Sequence, residues 1–398
     1  MAKIVSVDVV VFRPDKNRQK GFVGANDEAK RDKRIRTSTA NPLLIYPEAD
    51  EADYINRAEG GEVAVKVTCD NGVYGWGGIG GYRSVPAWMI IELLGPVIIG
   101  MEAREIEKIW DVMFKAALPI GRKGAAIEAI SGIDVALWDI FGKETGQPVY
   151  KLLGGKVRDK IKVYPTSFQA DECKAAGYTD IKIPMPYSFM HGEFGMQENE
   201  KLVAHARDVF GPDGFIALEC YMGWNEEYTM KMAERLQQYN IRWIEEPVVP
   251  DSYETYARLR KRLHKMGIMI SGGEHEFTRW GAKDLIENGC VDILQLDIGR
   301  AGGITEMKKV LGLAAAHDIM VIPHDHGAYR TVNYHLTINS IISPIAENLV
   351  VRGIDSERMF LPEPMIQPDG HVYLTDAPGF GYDINWDFRE KKDIFTIK

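Results

Sequence analysis

Between residues 162 and 351 the chain repeats one pattern, a short apolar run followed by a longer amphipathic stretch. The runs are "KVYPT" at 162, "DIKIP" at 180, "FIALE" at 215, "IRWIEE" at 241, "IMISGGE" at 268, "ILQLD" at 293, "IMVIPH" at 319 and "ENLVV" at 347. Runs of this length and composition read as buried strands, and the stretches between them as helices. Strands that alternate with helices must lie parallel, and eight such units close as a barrel. The predicted fold class is α/β. A barrel of this kind takes about 250 residues. The chain has 398, of which 45% are hydrophobic, so a second domain is expected.

That domain begins at the N-terminus. "KIVSVDVVVF" and "GEVAVKVTCDNGVYGWG" read as strands, the second folding back at "DNG", and helical patterns follow. The polar segment 14–60, with "DEAKRDKRIR", is too long for an ordinary connection and reads as a lid or an unstructured loop. The tail is turn-rich, with "PDG" at 368 and "DAPGFGYD" at 376, and is expected to pack back on the N-terminal domain. The expected division is 1–135 for an α+β capping domain, 136–355 for the barrel and 356–398 for the returning tail.

Residues 242–248 read "RWIEEPV". Side chains of a strand alternate between faces, so Trp243 and Glu245 point one way, Ile244 and Glu246 the other, and one carboxylate faces inward. A lone "EEP" reads most simply as a solvated pair. Here, however, Glu219 ends the third run, Glu245 the fourth, Glu274 the fifth, Asp297 the sixth and His324 the seventh. Five consecutive units thus deliver an acid or a histidine to the C-terminal rim, where barrels of this class carry their chemistry. Three converging carboxylates repel one another unless a cation lies between them. Donors that are all oxygen favour magnesium over zinc or copper and leave coordination positions for water and substrate.

Composition excludes several classes. A net charge of -9 and a pI near 5.6 argue against a general binder of nucleic acid or anionic membrane and for a small-molecule partner. Cys69, Cys173, Cys220 and Cys290 lie far apart, without the spacing of a disulfide framework or a zinc-thiolate site, and a reducing cytoplasm is expected. The alternating N-terminus with Asp8 reads as a strand and not as a signal peptide, and no run approaches the roughly 18 apolar residues of a membrane span.

The segments "ALEC", "WIEEP", "SGGEH", "QLDIGRAGG" and "VIPH", in this order and spacing, resemble the enolase superfamily and its mandelate racemase subgroup. The resemblance implies a modified TIM barrel, (β/α)7β, with the capping domain completed by the C-terminal tail. It also implies that Glu219, Glu245 and Glu274 bind Mg2+, and that His324 is the base with Asp297 as its partner. Glu219 stands where many members carry aspartate. Glu347 matches the acid that hydrogen-bonds the enediolate, and His326 in "PHDHG" competes with His324 or contacts substrate.

"IKIP" holds Lys182, but Pro184 stands where related racemases have a second lysine. One base on one face suits elimination better than two-base racemisation. "KIP", "GEH" with His275, "ALWDIFGK" and "PVYKLLGG" are similar to L-rhamnonate dehydratases. Lys182 is placed either beside the substrate carboxylate or in a structural ion pair. Arg57, in "NRAEGGEVAVKV", is the candidate to grip substrate from the lid, with Arg36 and Tyr46 reading the sugar tail. The expected activity is a Mg2+-dependent acid-sugar dehydratase, acting on L-rhamnonate or a close relative such as L-lyxonate or L-mannonate. The alternatives are a racemase or epimerase of a 2-hydroxy acid and a non-catalytic metal-binding barrel. The resemblance also implies a homo-oligomer, a dimer or an octamer.

Overall fold

The computed structural model of the chain describes residues 2–13, 36, 38–46, 61–80, 84–350 and 358–398. Three strands open it: β1 (Ile4–Phe12), β2 (Glu62–Cys69) and β3 (Tyr74–Gly78). The β2–β3 pair is antiparallel and turns at Asp70–Val73, as "DNG" requires. Among the helices that follow are α1 (Ile106–Ala117) and α2 (Ala125–Thr145). Of the 21 residues of α2, 15 are buried, so it is apolar on nearly every side and has partners all round it.

The barrel strands are β4 (Ile161–Thr166), β5 (Ile181–Pro184), β6 (Ile216–Glu219), β7 (Ile241–Glu245), β8 (Met269–Gly272), β9 (Ile293–Leu294), β10 (Met320–Val321) and β11 (Ile345–Leu349). They are parallel, in the order β10-β9-β8-β7-β6-β5-β4-β11. The seven crossovers each contain a helix: α3 (Ala170–Ala175), α4 (Gly192–Phe210), α5 (Glu226–Leu236), α6 (Tyr253–Leu263), α7 (Thr278–Glu287), α8 (Gly303–Ala316) and α9 (Arg330–Asn339). Eight strands and seven crossover helices make the (β/α)7β arrangement.

The tail forms β12 (Phe360–Leu361), β13 (His371–Val372), β14 (Asp383–Ile384) and β15 (Lys392–Ile397). β15 pairs antiparallel with β1 and completes a four-stranded sheet, β15-β1-β2-β3, while β13 pairs with β4 of the barrel. α2 runs unbroken through position 135, where the sequence suggests a boundary.

Alternation along the strands places the site. Tyr164, Ala217, Trp243, Ile293, Ile322 and Ile345, with Met269 against them, form a buried cluster distinct from the main core. These are the inward residues of the barrel, packed as a layer. Two residues on from each of these seven the same face presents Thr166, Glu219, Glu245, Ser271, Gln295, His324 and Glu347, all buried. An apolar floor therefore lies directly beneath a polar ring.

Candidate functional site

Glu219 and Glu245 are the last residues of β6 and β7 and stand opposite each other in the ladder. Glu274 comes from the loop after β8. One carboxylate oxygen from each of the three lies within 4.8 Å of the others. Burial pushes the Glu219 and Glu245 carboxyls up, Glu245 to about 7; the charge of Glu245 adds to this at Glu219 and those of Glu347 and Glu274 add to it at Glu245, while Lys182 opposes it at both. Glu274 behaves oppositely: burial opposes its charge, but His324, His275 and Arg300 hold it below the usual carboxylate range. The Oε1 atom of Glu245 is buried without a hydrogen-bond partner. Three converging carboxylates, one with an orphaned oxygen, fit a hard divalent cation bound through oxygen.

Lys182 is wholly buried on β5. Its Nζ lies 2.6 Å from Glu245 Oε2, 2.8 Å from Glu347 Oε1 and 3.4 Å from Glu219 Oε2. Burial opposes its charge, yet Glu245 and Glu347 keep its pKa well above that of a free lysine. Of the two placements considered from the sequence, the ion pair is the one observed, and it lies among the converging carboxylates. Glu347 Oε1 also accepts from Thr166 Oγ1.

His324 Nδ1 is 2.9 Å from Asp297 Oδ2, and its Nε2 is 3.5 Å from Glu274 Oε1. With Nδ1–H donated to Asp297, Nε2 is the nitrogen left to exchange a proton. Burial disfavours the imidazolium, but Glu274, Glu347 and Asp297 raise the His324 pKa to about 10 when only protein charges surround it. His326 is also buried, its ring 6.1 Å from that of Tyr329.

Two local expectations need correction. Glu274, Asp297 and His324 do not end strands, because β8 stops at Gly272, β9 at Leu294 and β10 at Val321. Gly273, at φ 114°, turns the chain before Glu274. Asp297 Oδ1 accepts from Gly299 N at 2.7 Å and starts a helical turn over Ile298–Ala301, with one parallel bridge left between Asp297 and His324. Nor is either glutamate of "EEP" solvated. Glu246 adopts φ 37°, which breaks the strand alternation, and is buried with Oε2 2.6 Å from His275 Nδ1. Tyr221 and Met222, after β6, share this left-handed conformation, so the rim loops hold backbone that side chains other than glycine rarely adopt.

The described residues of the 14–60 segment, 36 and 38–46, sit on the loops after β5 and β6. Arg36 Nε donates to Pro186 O at 2.6 Å and Ala40 N to Met185 O at 2.7 Å, while a Cβ on Gly223 would lie 2.7 Å from Ala40 Cβ. Tyr46 is exposed. Arg57 lies outside the described residues. Reasoning from sequence missed Arg300, whose Nη1 donates to both Glu274 Oε1 (3.0 Å) and Glu274 O (3.2 Å). It also missed Thr166, which counting two residues on from Tyr164 along β4 would have found.

Comparison with known proteins agrees with this geometry. Residues 167–388 match the enolase C-terminal domain-like family, and residues 56–154 match the mandelate racemase / muconate lactonizing enzyme N-terminal domain. A protein of Caldivirga maquilingensis named "Putative L-rhamnonate dehydratase" is 37% identical over 87% of this chain and 87% of that one. The crystal structure of rhamnonate dehydratase from Gibberella zeae complexed with Mg aligns with a TM-score of 0.83 at 29% identity, over 98% of this chain and 95% of that one. The 3,6-anhydro-D-galactonate cycloisomerase of Zobellia galactanivorans aligns with a TM-score of 0.74 at 33% identity, over 82% and 92%. This chain therefore belongs to the enolase superfamily, within its mandelate racemase and muconate lactonizing enzyme branch.

Proposed function

We propose that the protein is a Mg2+-dependent acid-sugar dehydratase, a hydro-lyase that converts an aldonate to its 2-keto-3-deoxy product. The observation that carries this reading is the Asp297–His324 pair at 2.9 Å beside the carboxylate trio, with Lys182 paired to Glu245 and Glu347 and Pro184 where a second base would stand. Glu219, Glu245 and Glu274 would hold the ion. When bound, it supplies the positive charge that makes a proton α to a carboxylate acidic enough to remove.

The other roles belong to side chains. His324 Nε2 takes the α-proton while Asp297 holds the ring and favours the imidazolium. The same Nε2–H then delivers that proton to the departing 3-hydroxyl, so one residue serves both half-reactions. Lys182 offers its ammonium to the substrate carboxylate and to the enediolate formed from it, and Glu347, paired with that ammonium at 2.8 Å, holds it in place. His275 and His326, with Arg36 and Arg57 from the lid, are assigned to the substrate hydroxyls. L-rhamnonate, L-lyxonate and L-mannonate are the leading substrates. The relative named as an L-rhamnonate dehydratase supports that class.

The test is a library of aldonates, with a 3,6-anhydro acid included, assayed for 2-keto acids with and without EDTA. Mg2+-dependent 2-keto-3-deoxy product is expected. His324→Asn should eliminate both product and α-proton exchange in deuterated water, since loss of a general base costs about two to four orders of magnitude. Epimerised acid without keto product would establish the racemase reading instead. Exchange that survives in His324→Asn but not in His326→Asn would move the base two residues along.

A further inference from the structure

The strand order leaves β10 and β11 at its two ends, and among the described residues no ladder joins them. Yet these strands lead to His324 and Glu347, whose relative position the proposed chemistry depends on. One backbone hydrogen bond, Val321 N to Ile342 O at 3.1 Å, crosses the lower part of this seam. Higher up, side chains do what a ladder would do.

Asp325, the residue after His324, is wholly buried. Its backbone N–H donates to Glu347 Oε2 at 3.1 Å, and its Oδ2 accepts from Leu349 N at 2.7 Å. Both termini of this small bridge thus reach β11, one on the backbone and one on the carboxylate of Glu347. Asp325 is itself fixed. Oδ2 accepts from Arg330 Nε and Oδ1 from Gly327 N, each at 2.7 Å. Arg330, buried on the first turn of α9, spreads its other donors to Leu349 O (2.8 Å) and to Glu363 Oε1 of the tail (2.9 Å). One turn further on, Asn333 Nδ2 donates to the carbonyl of His324 at 2.9 Å.

A buried ion pair is a poor device for stability, because apolar residues of equal volume commonly serve as well. What it supplies is direction. A guanidinium fork bound to three separate acceptors fixes the positions of all three, which apolar packing does not. We infer that Asp325 and Arg330 are positioning residues that staple the open β10–β11 seam and hold Glu347 at a set distance from His324. The inference rests on the dehydratase reading for its effect on rate, and on geometry alone for the staple.

The test compares Asp325→Asn, Glu347→Gln and their combination, in the full-length chain. Asn keeps an oxygen for the Leu349 or Gly327 N–H but loses the charge that Arg330 grips. A misplacement of about 1 Å can cost on the order of 100-fold in rate. Asp325→Asn should therefore lower kcat by roughly 10- to 100-fold, with KM within about threefold of the original and the Mg2+ midpoint unchanged. In the Glu347→Gln background the same change should cost less than about threefold more, because residues acting through one another do not add. Full multiplicative loss in the combination would overturn the proposal, as would an unchanged kcat in folded Asp325→Asn.

Should Asp325→Asn fail to fold, Arg330→Lys keeps the charge without the fork and should show the same pattern more weakly. A crystal structure of the folded variant decides independently of any substrate. The Glu347 carboxylate should leave the N–H of residue 325, and a carboxylate that stays in place overturns the staple. Failure of the unaltered protein to make keto acid from any aldonate would count against the dehydratase reading alone.

Discussion

Lys182 illustrates how single residues balance this site. A lysine with no exposed surface is tolerated only beside compensating charge, and three carboxylates within 3.4 Å of its Nζ provide it. The converse also holds, since the trio repels itself less with an ammonium among its members. Replacing Lys182 by Met should therefore destabilise the metal-free protein by several kcal/mol, on the order of the 3–5 kcal/mol typical of breaking a buried pair. The same variant should gain more stability from added Mg2+ than the original does, because the ion then supplies all the compensation. Thermal melts with EDTA and with Mg2+ give both numbers, and equal gains in the two proteins would refute the compensating role. Glu245→Gln has the opposite signature. It keeps volume and removes one ligand charge, so the fold should persist while the Mg2+-induced rise in melting temperature and all turnover disappear. A Glu245→Gln protein that retains metal-dependent turnover would show that the cation sits elsewhere.

Among the elements, α9 carries two roles on ten residues. Arg330 and Asn333 at its start serve the seam, and His335 in its middle is buried where its Nδ1 accepts from Tyr150 N at 3.1 Å. Burial lowers the His335 pKa to about 3, with Lys156 adding to the effect and the Phe380 backbone opposing it. In the unfolded chain a histidine titrates near 6.5, so between about pH 6.5 and 3 the unfolded state binds more protons than the folded one. Stability is present above that window and is lost as pH falls through it. From pH 6.5 to 5 the loss attributable to His335 should be on the order of 2 kcal/mol. His335→Gln should show a correspondingly flatter decline in urea midpoint over the same range, and parallel declines in the two proteins would exclude His335 as the cause.

The elements also show where the sequence could be read and where it could not. Six of the eight barrel strands stand within their apolar runs, and β4 and β11 begin one and two residues before theirs, because burial on both faces leaves a continuous signal that does not mark its own first residue. Glu219 and Glu245 followed from that signal, being the last inward residues of their strands. Loop residues carry no such periodicity. The Asp325–Arg330 pair, five residues apart across a turn, belongs to neither helical nor strand spacing, and Glu246 turns inward only because its backbone adopts a left-handed conformation that no pattern announces.

At the scale of the whole molecule, α2 joins the two halves. On one side it meets β3 backbone to backbone: a Cβ on Gly75 would lie 2.1 Å from Ala136 O, and one on Gly77 would lie 2.1 Å from Gly132 O. On its other side it bonds to the start of α8, just beyond the Asp297 turn. Ser131 Oγ accepts from Gly302 N at 2.9 Å, Asp134 Oδ2 from Thr305 N at 3.0 Å, and Trp138 Nε1 donates to Thr305 Oγ1 at 2.9 Å. The cap sheet and the barrel rim are thus two faces of one helix, and neither can lose α2 without exposing apolar surface. Gly77→Ala tests this coupling, because the added methyl cannot be accommodated without moving backbone. Such overpacking typically costs about 1–3 kcal/mol, and a backbone clash belongs at the upper end, equivalent to a fall of roughly 4 °C in melting temperature for a chain of this size. Calorimetry should show a single transition in both proteins, shifted down in the variant and raised in each by Mg2+. Two transitions, of which Gly77→Ala moves one and Mg2+ the other, would mean that cap and barrel unfold separately and that α2 packs between them without coupling them.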